Sequence, residues 1–209
     1  MTGGVMFVIS RRILIPHAGQ EAVVIDRSRR YVAAMNRLGA HARATKVIMG
    51  ADAGHIEVFA RYNDFKHGSG AFQSFAGDAE MGALRTEQAE HPAAEVHGPY
   101  VYRYIFGEPS TKTVLVQRSY SVSRDKLHAA IELLPEAKAA VGPDTAMTAA
   151  VPVFAPEMDH LIMTYGVDDL DHLGVVMDEF AMAPAFQAVV VKAAAIGTLI
   201  QARVLQVIA

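Results

Sequence analysis

The sequence predicts an α+β protein: two tandem β-α-β-β-α-β units whose sheets cover each other within one chain. Two observations carry this expectation. The stretch His160 to Val189, moved back by 105 positions (160 to 55), falls on His55 to Leu84 without a gap, and His160 then meets His55, Asp169 meets Asp64, His172 meets His67 and Phe180 meets Phe75. In a chain of 209 residues, such a repeat favours two units of about 100 residues over one large domain. The boundaries expected are 5–106 for the first half, 107–112 for a linker and 113–209 for the second half.

The elements follow in order. Met6 to Ile15 alternates and is rich in Val and Ile, as a strand requires, and Pro16 stops it. Between Ala18 and Leu38 the apolar residues Val24, Tyr31, Met35 and Leu38 recur at helical spacing, and Gly39 ends the helix. Thr45 to Met49 and His55 to Tyr62 form a hairpin across Gly50 to Gly54. Asn63 and Asp64 supply cap oxygens for a helix running through Phe72 and Phe75, Gly77-Asp78 breaks it, and a shorter helix reaches Glu90. Tyr100 to Phe106 is the strand that closes the first half.

Gly107 to Thr111 combines glycine and proline where the pattern restarts. Thr113 to Val122 is a strand, and Ser123 is expected to cap the helix that carries Leu127, Ile131 and Leu134. Thr148 to Phe154 and His160 to Gly166 repeat the hairpin, and Asp168-Asp169 repeats the acidic cap. Pro184 opens a new helix at a position where its missing N–H costs nothing, and Leu199 to Ile208 is the last strand. This is the ferredoxin-like order in each half. A sheet with both helices on one face leaves the other bare, and the fused halves cover each other.

Composition narrows the function classes. With 52% apolar and 20% charged residues the chain resembles a compact globular protein, and a net charge of −3 without a basic stripe argues against nucleic acid as a partner. The absence of cysteine removes thiolate nucleophiles and cysteine zinc sites and fits a reducing compartment, so the cytoplasm is expected. The start lacks the charge pattern of a signal peptide, and Ala181 to Ile200 is too interrupted for a membrane span. Asp168, Asp169 and Asp171 fit a helix start better than a calcium or zinc site, so no metal is expected. P-loop, G-x-G-x-x-G and G-x-S-x-G signatures are missing.

The opening strand LVQRSYSV (Leu115 to Val122), a strand beginning HL or HI, the acidic turn, and a helix opened by P-A-F-Q-A (Pro184 to Ala188) resemble the NIPSNAP-like group of the dimeric α/β-barrel superfamily, once per half. The resemblance implies two ferredoxin-like units forming a barrel, with a small-molecule cavity inside it or between sheet and helices. The wider superfamily includes cofactor-free monooxygenases, haem-degrading enzymes, chlorite-dismutase relatives and lactone isomerases. Its haem-degrading members carry a histidine after the corresponding phenylalanine and use a tryptophan. Here Val189-Val190 and Leu84-Arg85 stand nearby and tryptophan is absent, so no cofactor is expected.

Strand alternation separates His55, Glu57, Phe59 and Arg61 from Ile56, Val58, Ala60 and Tyr62, and the second set suits the helix-packed face. The first set then faces the barrel interior, where His55 or its counterpart His160 is the candidate proton-transfer residue. The plainer reading makes both histidines hairpin caps. Candidate ligand-binding residues are Arg11, Glu57, Arg61, Tyr102, Arg118 and Tyr120, with Arg11 and Arg118 aligned when the opening strands are superposed. Three functions stay open: binding of a small apolar or aromatic molecule with one polar handle in the barrel cavity, cofactor-independent oxygenation or isomerisation, and a structural or assembly role. The chain is a pseudo-dimer in itself, and exposed sheet edges leave a homodimer open.

Overall fold

The computed structural model of the protein describes residues 7–209, so Met6, the expected first residue of the opening strand, lies outside them. The first half runs β1 (Val8–Pro16), α1 (Glu21–Arg37), β2 (His41–Gly50), β3 (Ile56–Tyr62), α2 (Phe65–Gly77), α3 (Ala79–Glu90) and β4 (Ala94–Phe106). The second runs β5 (Val114–Ser121), α4 (Leu127–Ala140), β6 (Ala146–Phe154), β7 (His160–Val167), α5 (Leu170–Val175), α6 (Pro184–Ala194) and β8 (Thr198–Val207). A π-helical segment, Val176–Phe180, continues α5.

The strands form one closed barrel in the order β1-β3-β2-β8-β5-β7-β6-β4. Each half contributes the ferredoxin-like order, β4-β1-β3-β2 and β8-β5-β7-β6. The halves join edge to edge, β2 against β8 and β4 against β6, all antiparallel. Closure leaves no strand edge unpaired along the barrel wall, which removes the usual template for edge-on association.

The helices cover the outside of the wall. In the first half Val32, Met35, Phe75 and Met81 pack on Ala44, Val58 and Ala60; in the second Leu134, Phe186 and Val189 pack on Leu161 and Met163. Burying each large side chain contributes about 1.5–3 kcal/mol, so these two layers anchor the helices to the wall. Val47, Leu115 and Leu205 lie inside the barrel with Phe59.

Most local details follow the expected physics. The Asp64 carboxylate accepts from the His67 N–H at 2.7 Å and the Asp169 carboxylate from the His172 N–H at 2.7 Å, which caps α2 and α5. Pro184 stands at the start of α6. Ser123, however, does not cap α4: its carbonyl closes a turn with the Lys126 N–H at 3.0 Å, and the helix begins after Lys126 with no side-chain cap. The strand expected at Tyr100 is also longer. It starts at Ala94 and pairs with β1 on both sides of a register shift beside Gly98-Pro99, a combination that reads as a turn in sequence.

Candidate functional site

Side chains from five strands meet inside the barrel. Glu57 on β3, fully buried, accepts from Arg11 on β1 (Nε to Oε2 3.0 Å, Nη2 to Oε1 2.6 Å) and from Arg203 on β8 (Nη1 to Oε1 2.7 Å, Nη2 to Oε2 3.0 Å). Arg203 also donates through Nε to Gln117 Oε1 on β5 at 3.1 Å, and Gln117 reaches the Thr164 hydroxyl on β7 at 3.4 Å. Since β8 and β3 are not neighbours in the wall, the Arg203–Glu57 pair crosses the interior.

Burial works to lower the pKa of Arg11, but the charge and hydrogen bonds of Glu57, helped by Tyr102, outweigh it and raise the value. Burial dominates at Arg203 and lowers its pKa, with the charge of Arg11 adding to the effect against the pull of Glu57. A buried carboxylate that holds two guanidiniums in bidentate geometry fixes the wall of the cavity beside it.

That cavity, about 770 Å³, occupies the barrel on the side of the linker. Arg11, Arg43, Phe59, Arg61, Tyr102 and Tyr104 line it, and Pro109 to Thr111 lie across its edge. An eight-stranded barrel is just wide enough for its side chains or one small ligand, and small inward residues such as Ala150 leave this space. Burial pushes the phenols of Tyr102 and Tyr104 up, against the nearby arginines, so both are neutral donors near pH 7.

Two further cavities lie outside the wall, between sheet and helices, one in each half. The second-half cavity, about 310 Å³, is mostly apolar, with Leu134, Met163, Phe186 and Val189 among its walls and Arg118, Tyr120, Tyr165 and Thr198 as its polar groups. The Arg118 guanidinium stands 5.8 Å from the Phe186 ring centroid and forms no ion pair among the described residues. Burial raises the pKa of Tyr165, whose hydroxyl points at the Met163 sulfur at 3.8 Å. The first-half cavity is smaller, about 220 Å³, and holds Arg12, Leu14, Val58 and Met81.

The candidate residues therefore divide between two faces of one wall. Arg11, Arg61 and Tyr102 line the interior cavity, and Glu57 is bound to Arg11 beside it. Arg118 and Tyr120 line the second-half outer cavity. Arg118 does not correspond to Arg11: Arg12 pairs with Val58 as Arg118 pairs with Met163, so Arg12 is its counterpart and Arg11 matches Gln117. A slip of one residue along a strand moves a side chain to the opposite face.

His55 and His160 line none of these three cavities. The His55 N–H donates to the Asp52 carbonyl at 3.0 Å within the hairpin turn, and His160 stands at the head of β7 with Nε2 3.9 Å from the Asp159 carboxylate. The His67 ring accepts from the Asn63 N–H at 3.2 Å, consistent with a part in the first turn of α2. Sequence reasoning missed Arg203 and Gln117. The signal available for Arg203 was a lone charged residue in the strand TLIQARVLQV. Among the described residues no cluster of His, Asp or Glu could hold a metal ion, and no single helix is long and apolar enough to cross a membrane.

No protein-family model and no curated protein matches the sequence. Solved structures do share the fold. A candidate monooxygenase from Fusobacterium nucleatum superposes with a TM-score of 0.68 at 11% identity, covering 98% of this chain and 94% of its own. A candidate monooxygenase from Lactobacillus acidophilus gives 0.67 at 7% identity, with coverage of 98% and 95%. An anthrone oxidase-like protein gives 0.65 at 14% identity, with coverage of 98% and 92%. At these identities the likeness establishes the dimeric α/β-barrel fold over nearly the whole chain.

Proposed function

We propose that the protein binds a flat apolar or aromatic molecule bearing one acidic oxygen, in the cavity between the second-half sheet and helices α4 and α6. The observation that carries this reading is Arg118: a cation without a carboxylate partner, set in a cavity whose other walls are mainly aliphatic and aromatic. A half-buried guanidinium facing apolar walls favours an anionic partner, and a phenolate, enolate or carboxylate on the ligand supplies it. The cavity volume lies at the lower end of the range for small-molecule sites. The NIPSNAP-like features of the sequence agree with a binding role, and they come with no fixed chemistry.

A second reading, cofactor-independent oxygenation, is favoured by the names of the structural neighbours. Arg118 would stabilise the enolate of an anthrone-type substrate, dioxygen would be the oxidant, and the balance would be one CH₂ converted to C=O with release of water. Among the described residues no histidine lines this cavity, and Tyr165 is held protonated by burial, so the substrate's own acidity beside Arg118 has to supply the anion.

A fluorescence titration with 1-hydroxy-2-naphthoate tests the binding role. The wild type should bind saturably, Arg118→Gln should bind at least about tenfold more weakly, as expected for loss of a hydrogen bond to a charged group, and Arg12→Gln should bind as the wild type does. An absence of saturable binding, or equal binding by Arg118→Gln, contradicts the reading.

A further inference from the structure

Among the described residues, the barrel interior carries more arginine than carboxylate. Arg11, Arg43, Arg61 and Arg203 project inward from β1, β2, β3 and β8. Inside, Glu57 answers Arg11 and Arg203, and at the far end of the barrel Asp52 lies 3.4 Å from Arg203. Arg43 and Arg61 are left with neutral neighbours: Arg43 donates to the Ser110 carbonyl at 3.2 Å, and the Arg61 guanidinium lies 4.7 Å from the Phe7 ring centroid. Neither forms an ion pair among the described residues, and residues 1–6, MTGGVM, contain no carboxylate.

The two arginines share one wall of the 770 Å³ cavity, and among the described residues no Asp or Glu lines it. Arg43 pairs with Phe59 and His41 with Arg61, which makes Arg43 and Arg61 diagonal neighbours on adjacent strands. Such residues lie about 7–8 Å apart, within reach of a single polyvalent group. Tyr102 and Tyr104 add two phenol donors facing the same space.

We propose that the barrel interior is a second binding site, separate from the outer cavity at Arg118, for a small molecule carrying a phosphoryl group held between Arg43 and Arg61. A phosphoryl dianion answers both free guanidiniums at one point, whereas the two ends of a dicarboxylate would have to be held apart. The linker residues Pro109 to Thr111, tied to Arg43 through Ser110, border the same cavity, so ligand binding there touches the connection between the halves.

Calorimetric titration of the full chain with pyrophosphate, at constant ionic strength, tests the site. Saturable binding near one per chain is expected, at least tenfold weaker in Arg43→Gln and in Arg61→Gln, unchanged in Arg118→Gln, and tighter than binding of succinate. In buffer free of polyvalent anions, both variants should melt at or above the wild-type temperature, because each removes an uncompensated charge. The proposal is overturned if the wild type does not bind pyrophosphate or if both arginine variants bind it normally. It is equally overturned if succinate binds as tightly, if Arg118→Gln loses the binding, or if the two variants melt below the wild type and so reveal structural arginines.

Discussion

Glu57 accepts hydrogen bonds from two guanidiniums and is completely buried, so its charge cannot be replaced by water if it is removed. Glu57→Gln leaves Arg11 and Arg203 facing each other in the barrel, and breaking a buried pair in this way costs about 3–5 kcal/mol. Urea denaturation should show a loss of that size, while Arg61→Gln, which breaks no ion pair, should show none. The inward direction of Glu57 and Arg61 was legible from alternation alone. The partnership with Arg203 was not, because it joins residues 146 apart in sequence across a closed barrel. Arg118 was legible as a cation in need of a partner, though it is half-buried rather than buried, and it was misplaced by face, since aligning it with Arg11 rather than Arg12 is a one-residue error and strand geometry turns it into a change of compartment.

At the scale of elements, caps and breaks were read well where one short side chain decides them. Asp78, expected only as a break, also opens α3: its carboxylate accepts from the Met81 N–H at 3.1 Å and pairs with Arg37 at 2.9 Å. The hydrogen bond from Arg37, then that from Met81, hold its pKa below the ordinary carboxylate value. A depressed folded-state pKa gives stability that is present above the unfolded value, about 3.9, and is lost as pH falls through the folded value. Asp78→Asn should therefore be less stable than the wild type at pH 7, and the gap should narrow as pH falls; chemical denaturation at pH 7 and at pH 3 reads both. Elements whose limits depend on tertiary pairing were harder. β2 extends back to His41 and β4 to Ala94 because β3 and β1 are there to pair with them, and no local propensity records a partner strand.

For the whole molecule, the duplication was visible in the sequence, and the two edge pairings that close it, β2 with β8 and β4 with β6, explain why the halves stay together. Their outer cavities correspond position by position: Arg12 with Arg118, Leu14 with Tyr120, Val58 with Met163 and Met81 with Phe186. Divergence has made them unequal. The second-half cavity is larger and gains Tyr120, while the first-half cavity admits Arg85 where Val190 stands in the second. Met163 lines the former and Met81 the latter, so each cavity contains a methyl group that reports on it. The decisive measurement is an NMR titration of protein labelled with ¹³C at its methionine methyls, using 1-hydroxy-2-naphthoate. Binding in the second-half cavity predicts a saturable shift of the Met163 resonance with Met81 unmoved; a shift of Met81 alone, or of neither, would contradict it.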